Sequence, residues 1–213
     1  MSSRPEAPGV DFFRYGALPV PLVSTGEAER IAAGFGLRVR AEPLGSQPDV
    51  VTVAKATGNG YPLGAVITSR AIAARYRDAG YFFSSTGGSP VASVAGLTVL
   101  DVIRDEGLQA SAARVGGHLK ARLEELAGRH ELIGAVHGSG LYLGVEFVRD
   151  RVTLEPATEE TTAICDRMLP LGVIIQPTSD RMCVLKIKPP LCLDVAGANV
   201  FADSLDQVLT QGW

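Results

Sequence analysis

A lysine stands between two β-rich segments and directly before a glycine turn in residues 48–67, PDVVTVAKATGNGYPLGAVI. The apolar runs 50–53 and 63–68 predict two strands, the first of them buried. Gly58-Asn59-Gly60 predicts a tight turn with positive φ. Lys55 would therefore be held on rigid backbone at the mouth of the turn, as a Schiff-base lysine requires. An ordinary surface lysine is the alternative, because lysines are common near turns.

The composition of the 213-residue chain favours a well-buried α/β protein, with 46% hydrophobic residues and a mean hydropathy of +0.18. A net charge of −3 without a basic run predicts no nucleic-acid partner. The lack of a transmembrane-length apolar stretch or a signal-peptide pattern predicts no membrane partner. The cysteines at positions 165, 183 and 192 and the scattered histidines lack metal-ligand spacing, so no metal site is predicted. An odd cysteine count indicates reduced thiols and a cytoplasmic location.

For residues 1–107, the sequence predicts few regular elements. Residues 1–20, rich in Pro, Gly and Ser, are interpreted as a poorly ordered leader, and residues 71–78 as a short helix. Ser89 and Pro90 predict the start of a helix over 91–103. Its residues are apolar nearly all round, which predicts burial. Gly107 ends it.

The second part predicts an α+β unit. Apolar residues at steps of three and four predict a helix over 112–126, and alternation predicts a strand over 141–147 with one covered face. Further elements are predicted as a helix over 158–169, strands over 172–176 and 182–188, and a last helix that begins at Asp194. We expect the strands to pack against the helices at 112–126 and 195–209.

The lysine segment resembles the cofactor-lysine segment of class III (ornithine-type) aminotransferases, fold type I enzymes that use pyridoxal 5'-phosphate. The likeness is carried by PDVVT, AK and GNGYPLGAV, and extends over roughly residues 48–210. It implies an α/β fold with a partial cofactor-binding large domain at 21–108 and a small C-terminal domain at 109–213. It also implies that Lys55 binds the cofactor covalently and later moves a proton, since one neutral amine suits both roles.

Residues 82–90, FFSSTGGSP, are similar to a family loop that gives a hydroxyl to the cofactor phosphate, usually across a dimer interface. The resemblance places Ser85 on the hydroxyl position and Thr86 where an aromatic residue is common, and it implies a homodimer. Hydroxyls and free N–H groups at a helix N-terminus form an anion site, which agrees with this role. A plain capping loop is the alternative.

Residues 185–191, LKIKPPL, match the family's C-terminal strand before a proline pair. Typical members have an arginine at the position of Lys186, and that arginine binds the substrate carboxylate. Arginine forms two parallel bonds to a carboxylate, whereas lysine supplies a point charge. The segment looks like the subgroup of ethanolamine-phosphate and phosphohydroxylysine phospho-lyases, which implies that Lys186 binds the substrate. A solvated lysine pair on an edge strand is the alternative.

The upstream half of the family is largely absent, including a second phosphate loop and an aromatic that stacks on the cofactor ring. Glu29 stands where the family has an aspartate that protonates the pyridine nitrogen, and Arg30 follows it. The resemblance thus implies transamination or phospho-lyase chemistry on a small amino substrate. One alternative is a catalytically inactive remnant that acts as an association module. Another is a chain that complements a separately encoded amino-terminal half.

Overall fold

The computed structural model describes residues 49–80, 84–85 and 87–213. The chain divides into two compact units, the first ending at Glu106 and the second running from Gly107 to Trp213. The predicted leader at 1–20, the Glu29–Arg30 pair and Thr86 lie outside the described residues.

The described part of the first unit contains a hairpin and two α-helices. Its elements are β1 (Val50–Ala54), a 3₁₀ helix (Lys55–Gly58), β2 (Gly64–Thr68), α1 (Arg70–Ala79) and α2 (Pro90–Asp105). The strands β1 and β2 are antiparallel, with Val50 opposite Thr68 and Ala54 opposite Gly64. The Thr68 hydroxyl donates to the carbonyl oxygen of Asp49 at 2.8 Å and ties the open end of the hairpin. Both predicted strands and the predicted helix at 71–78 are confirmed.

Two predictions of burial in the first unit are wrong. Strand β1 alternates between exposed and half-buried positions, and Val50 is 48% exposed. In α2 the one fully buried residue is Gly96, whereas Val91 and Val94 are 61% and 62% exposed. Apolar composition predicts burial only where another layer covers the element. Among the residues that the structure describes, no such layer covers these faces.

The second unit is an antiparallel sheet with three helices. Its elements are α3 (Leu108–Arg129), β3 (Ile133–Ser139), β4 (Tyr142–Asp150), β5 (Glu155–Pro156), α4 (Thr158–Met168), a 3₁₀ helix (Leu169–Leu171), β6 (Pro177–Thr178), β7 (Val184–Ile187) and α5 (Val195–Gln211). The strand order is β3-β4-β7-β6, and β5 pairs with β4.

One face of this sheet forms the core with α3, α4 and α5. Apolar residues of α3 recur at the spacing of one helical face, and α5 begins where Asp194 accepts a hydrogen bond from the amide of Gly197 at 2.7 Å. The predicted α+β packing is confirmed. Fully buried side chains of the core are Val115, Leu119, Leu123, Leu126, Ile133, Val145, Phe147, Ile164, Met168, Leu185 and Leu205.

Two strands of the second unit differ from the sequence prediction. Residues 173–176 have no strand pairing, and β6 is confined to Pro177–Thr178, so the strand predicted over 172–176 is wrong. Strand β3 was not predicted. A register shift between Ile133 and Ala135 interrupts its alternation, because a bulge displaces the pattern by one residue.

Candidate active site

Lys55 follows β1 directly and opens the 3₁₀ helix Lys55–Gly58. The buried Thr57 donates its hydroxyl to the carbonyl oxygen of Ala54 at 3.2 Å, and so links this helix back to the strand. Asn59 and Gly60 have φ values of +46° and +98°, which confirms the predicted turn. The backbone of Lys55 is therefore fixed between the ends of two paired strands.

The lysine-bearing turn packs against α2, where two glycines admit the side chain of Leu63. A Cβ added at Gly96 of α2 would lie 2.6 Å from Leu63 Cδ2, and one at Gly58 would lie 3.1 Å from Leu63 Cβ. A larger residue at Gly96 would displace the Leu63 side chain from its place against α2. The packing role of Gly96 was not predicted from the sequence, although a lone glycine inside an apolar helix often indicates close packing.

The loop before α2 is built around serines. Ser89 caps the 16-residue helix by accepting from the amide of Ala92 at 3.4 Å, and Pro90 is its first residue, as predicted. Ser84 accepts from the amide of Gly87 at 3.0 Å, which folds the loop back on itself. Ser85 lies exposed on this loop. An exposed hydroxyl beside the N-terminus of a long helix fits a phosphate group, since the helix dipole favours an anion there.

Lys186 belongs to the second unit, on β7. Its neighbours Leu185 and Ile187 are buried in the core, whereas Lys186 projects from the other face of the sheet and is exposed. Gly144 of β4 lies directly opposite it. Lys55 and Ser85 thus share the first unit, and Lys186 is carried by the second.

Two of the three cysteines are buried. Burial raises the pKa of the Cys165 thiol to about 11, and the nearby Asp166 carboxylate adds to this effect. The thiol therefore stays protonated near neutral pH, and the thiolate is the reactive form. Cys183 is buried as well, and Cys192 is exposed.

Comparison with known proteins decides the family, because residues 31–209 match the model of class-III aminotransferases. The chain belongs to the class III aminotransferase family. It is 46% identical over 164 residues to alanine–glyoxylate aminotransferase 2 homolog 2, mitochondrial, of Arabidopsis thaliana, with 77% of this chain and 34% of the relative covered. It is 37% identical over 167 residues to ethanolamine-phosphate phospho-lyase homolog 1 of Caenorhabditis elegans, with 78% of this chain and 36% of the relative covered.

Solved structures give the same assignment. An Arthrobacter phospholyase in complex with phosphoethanolamine has a TM-score of 0.75 and 33% identity, covering 79% of this chain and 40% of that chain. A PLP-bound amine transaminase from an uncultivated Pseudomonas species has a TM-score of 0.72 and 28% identity, covering 80% and 40%. The class III likeness, the fold type I α/β class and pyridoxal phosphate as the family's cofactor are confirmed.

The class III chain spans only about a third to two-fifths of the relatives it matches. Within the described ranges, no helix is both long and apolar enough to cross a bilayer.

Proposed function

We propose that this class III chain takes part in pyridoxal-phosphate-dependent chemistry on a small amino substrate, by transamination or by phosphate elimination. The observation that carries the proposal is the backbone placement of Lys55, between the ends of two paired strands and against α2. Rigid backbone is what a covalent cofactor lysine needs, because its amine must reach one carbonyl carbon repeatedly.

Each candidate residue has a distinct task in this proposal. When bound, the cofactor supplies an electron sink for the pair of electrons released at the substrate α-carbon. Lys55 Nζ anchors the cofactor and carries the α-proton. Ser85 and Thr86, which precede the N-terminus of α2, hold the cofactor phosphate. Lys186 holds the anionic group of the substrate.

The proposal is tested by trapping the cofactor on the chain. We expect incubation with pyridoxal phosphate, borohydride reduction and peptide mass spectrometry to place one pyridoxyl group on Lys55, and Lys55→Ala to remove it. The matched control is Lys120→Ala, because Lys120 lies on a helix of the second unit and should not affect labelling. Label shared among Lys120, Lys186 and Lys188 would show unspecific chemistry and reject the proposal.

The phosphate loop is tested by Ser85→Ala combined with Thr86→Ala. Two hydrogen bonds to a charged group contribute about 3–6 kcal/mol, and the exposure of Ser85 favours the lower end. We expect the affinity for pyridoxal phosphate to fall by about a hundredfold, while circular dichroism stays unchanged. Ser139→Ala, on the exposed end of β3, serves as control. An unchanged affinity in the double variant would remove these residues from the site.

The two reaction types are separated by assaying one preparation for phosphate release from phosphoethanolamine and for amino transfer to a keto acid. Lys186 favours the amino phosphate, since lysine binds phosphate as a point charge but cannot form the bidentate carboxylate clamp. We expect Lys186→Arg to shift preference toward α-amino acids. Efficient transamination without phosphate release in the unmodified chain would contradict this preference.

A second candidate function is a non-catalytic association module, favoured by the apolar face of α2. Val91, Val94, Leu97 and Val102 are all at least 42% exposed, and such patches often indicate protein contacts. This face would serve a homodimer or a separately encoded amino-terminal half. Failure of cofactor trapping together with concentration-dependent association would favour this function. A cytoplasmic location is proposed for either case.

A further inference from the structure

The exposed face of the second unit's sheet carries a small cationic patch around Lys186. It comprises His137 on β3, Tyr142 and Gly144 on β4, Lys186 on β7, and Lys188 one residue beyond the end of β7. We call these five residues the outer sheet patch. Register explains why they share one face: Gly144 pairs with Lys186 on one side and with His137 on the other.

Gly144 forms a floor without a side chain of its own in the middle of the outer sheet patch. Neighbouring strands lie about 4.8 Å apart, so the backbones of His137 and Lys186 are separated by about 10 Å across the glycine. Gly144 itself has no side chain, and the space above it is bordered by Val184 Cγ1 and His137 Cβ, which lie 3.4 Å and 3.9 Å from where a Cβ on Gly144 would be. This width accommodates a phosphate group that a lysine ammonium can reach from the side.

Lys188 adds a second ammonium on the same face. Lys188 lies one residue beyond β7, and both Lys186 and Lys188 are exposed. Lys188 Nζ lies 5.6 Å from the centre of the Tyr142 ring, within range of a cation–π contact. Tyr142 therefore holds the Lys188 ammonium toward the β4 side, where the glycine floor lies.

One acidic side chain on this face opposes an anion, but it has its own partner. Glu146 Oε2 lies 2.8 Å from His137 Nε2, so its carboxylate is drawn toward β3 and away from β7. Lys186 lies on the opposite side of Gly144 from His137. A doubly charged phosphate monoester gains more from two neighbouring ammoniums than a carboxylate of single charge does.

We propose that the outer sheet patch binds the phosphate of an amino phosphate substrate, with Lys188 as a second binding residue beside Lys186 and Tyr142 as the residue that positions Lys188. This inference rests on the proposed function, which it narrows to phosphate monoesters. The inference assigns the selectivity for phosphate monoesters over carboxylates to the Gly144 floor and to Lys186 and Lys188 together, rather than to Lys186 alone.

The location is tested by nuclear magnetic resonance on the ¹⁵N-labelled full chain titrated with phosphoethanolamine. We expect the largest shifts at the amides of Tyr142, Gly144, Lys186 and Lys188, and much weaker binding of β-alanine, which ends in a carboxylate. Pyridoxamine phosphate is the second arm, because the cofactor's phosphate has the same chemistry. Shifts at the patch with pyridoxamine phosphate but not with phosphoethanolamine would overturn the assignment to substrate. Absence of shifts at the patch with both would overturn the site.

Variants measured by titration calorimetry test the individual roles. Lys188→Gln should weaken phosphoethanolamine binding about threefold or more, as expected for losing an exposed ion pair. Arg167→Gln, an exposed cation in the last turn of α4, removes the same charge and should have no effect. Gly144→Val should abolish binding by filling the floor, and circular dichroism would show that the sheet persists. Equal affinities for Lys188→Gln and Arg167→Gln would refute the role of Lys188.

The positioning role of Tyr142 has its own readout. Tyr142→Phe keeps the ring and should retain affinity, whereas Tyr142→Leu should weaken binding as much as Lys188→Gln does. Equal loss in both Tyr142 variants would refute the ring contact. Borohydride trapping on Lys55 is run in parallel, so that the two proposals fail separately. Lys55 labelled with no anion at the patch refutes only this inference, and an anion at the patch with Lys55 unlabelled refutes only the cofactor role.

Discussion

Two adjacent glycines of α3, Gly116 and Gly117, should respond in opposite directions to alanine. Gly116 is buried against the turn between β3 and β4, and an added Cβ would lie 2.0 Å from the carbonyl oxygen of Gly140. Gly117 is exposed, and a Cβ there would meet nothing within 4 Å. Helix position and sequence context are otherwise nearly the same, so the pair isolates the effect of packing.

The size of the difference follows from two contributions. Alanine in place of glycine inside a helix stabilises by about 1 kcal/mol, and this applies to both positions. A carbon and an oxygen in contact need about 3.3 Å, so Gly116→Ala must move α3 or the turn by more than 1 Å. The obstacle is backbone, and such overpacking costs about 1–3 kcal/mol or more. We expect Gly117→Ala to stabilise by up to about 1 kcal/mol and Gly116→Ala to destabilise by about 1–2 kcal/mol.

Urea unfolding followed by circular dichroism measures both variants. Hydrogen exchange at the amides of Leu119 and Leu123 reports the opening of α3 itself, since both residues are buried in the core. The expected separation between the variants is about 2–3 kcal/mol. Equal stability of Gly116→Ala and Gly117→Ala would refute the close approach of α3 to Gly140.

Three further outcomes are expected. Arg151→Lys should lose about 1 kcal/mol of stability in urea titrations, because lysine cannot satisfy the four carbonyl oxygens that the guanidinium reaches. These carbonyls belong to Ala127, His130, Glu131 and Ile133. Unchanged stability would contradict this expectation. The pKa of Asp206 is lowered mainly by its hydrogen bond to His130 and also by Arg129. Its contribution is therefore present above the ordinary pKa of about 3.8 and lost as pH falls below it, so Asp206→Asn should flatten acid unfolding. Val94→Glu should reduce self-association in light scattering; a wild-type monomer at all concentrations would refute that contact.

The sequence predicted elements whose signals are local and missed those that depend on partners. The Ser89 cap, the Asp194 cap and the Gly58–Gly60 turn were predicted because each side chain acts within three or four residues of itself. The segment 172–176 has a strand-like composition, but a strand forms only where a neighbour offers backbone groups, and β7 pairs only with Pro177 and Thr178 on that side. The predicted burial of α2 is wrong for the same reason, because burial also requires a partner that covers the element.

For the candidate site, too, the sequence predicts what depends on local signals and misses what depends on partners elsewhere in the chain. Lys55, Ser85 and Lys186 were proposed from motifs, since their chemistry depends on residue type and neighbours along the chain. Lys188 and its contact with Tyr142 depend on the pairing of β4 with β7, and sequence alone does not carry that register. A slip of one residue would turn Lys186 into the core and Leu185 to solvent.

Strand register therefore links the stability of the fold to the outer sheet patch. The approach of Gly116 to Gly140 sets the turn that joins β3 to β4, and β4 carries Gly144 between His137 and Lys186. Displacing this turn should disturb the patch even though α3 packs on the opposite face of the sheet. We expect Gly116→Ala to weaken phosphoethanolamine binding in calorimetry under conditions where the chain stays folded, and Gly117→Ala to leave it unchanged. Equal affinity in the two variants would show that the patch does not depend on this turn.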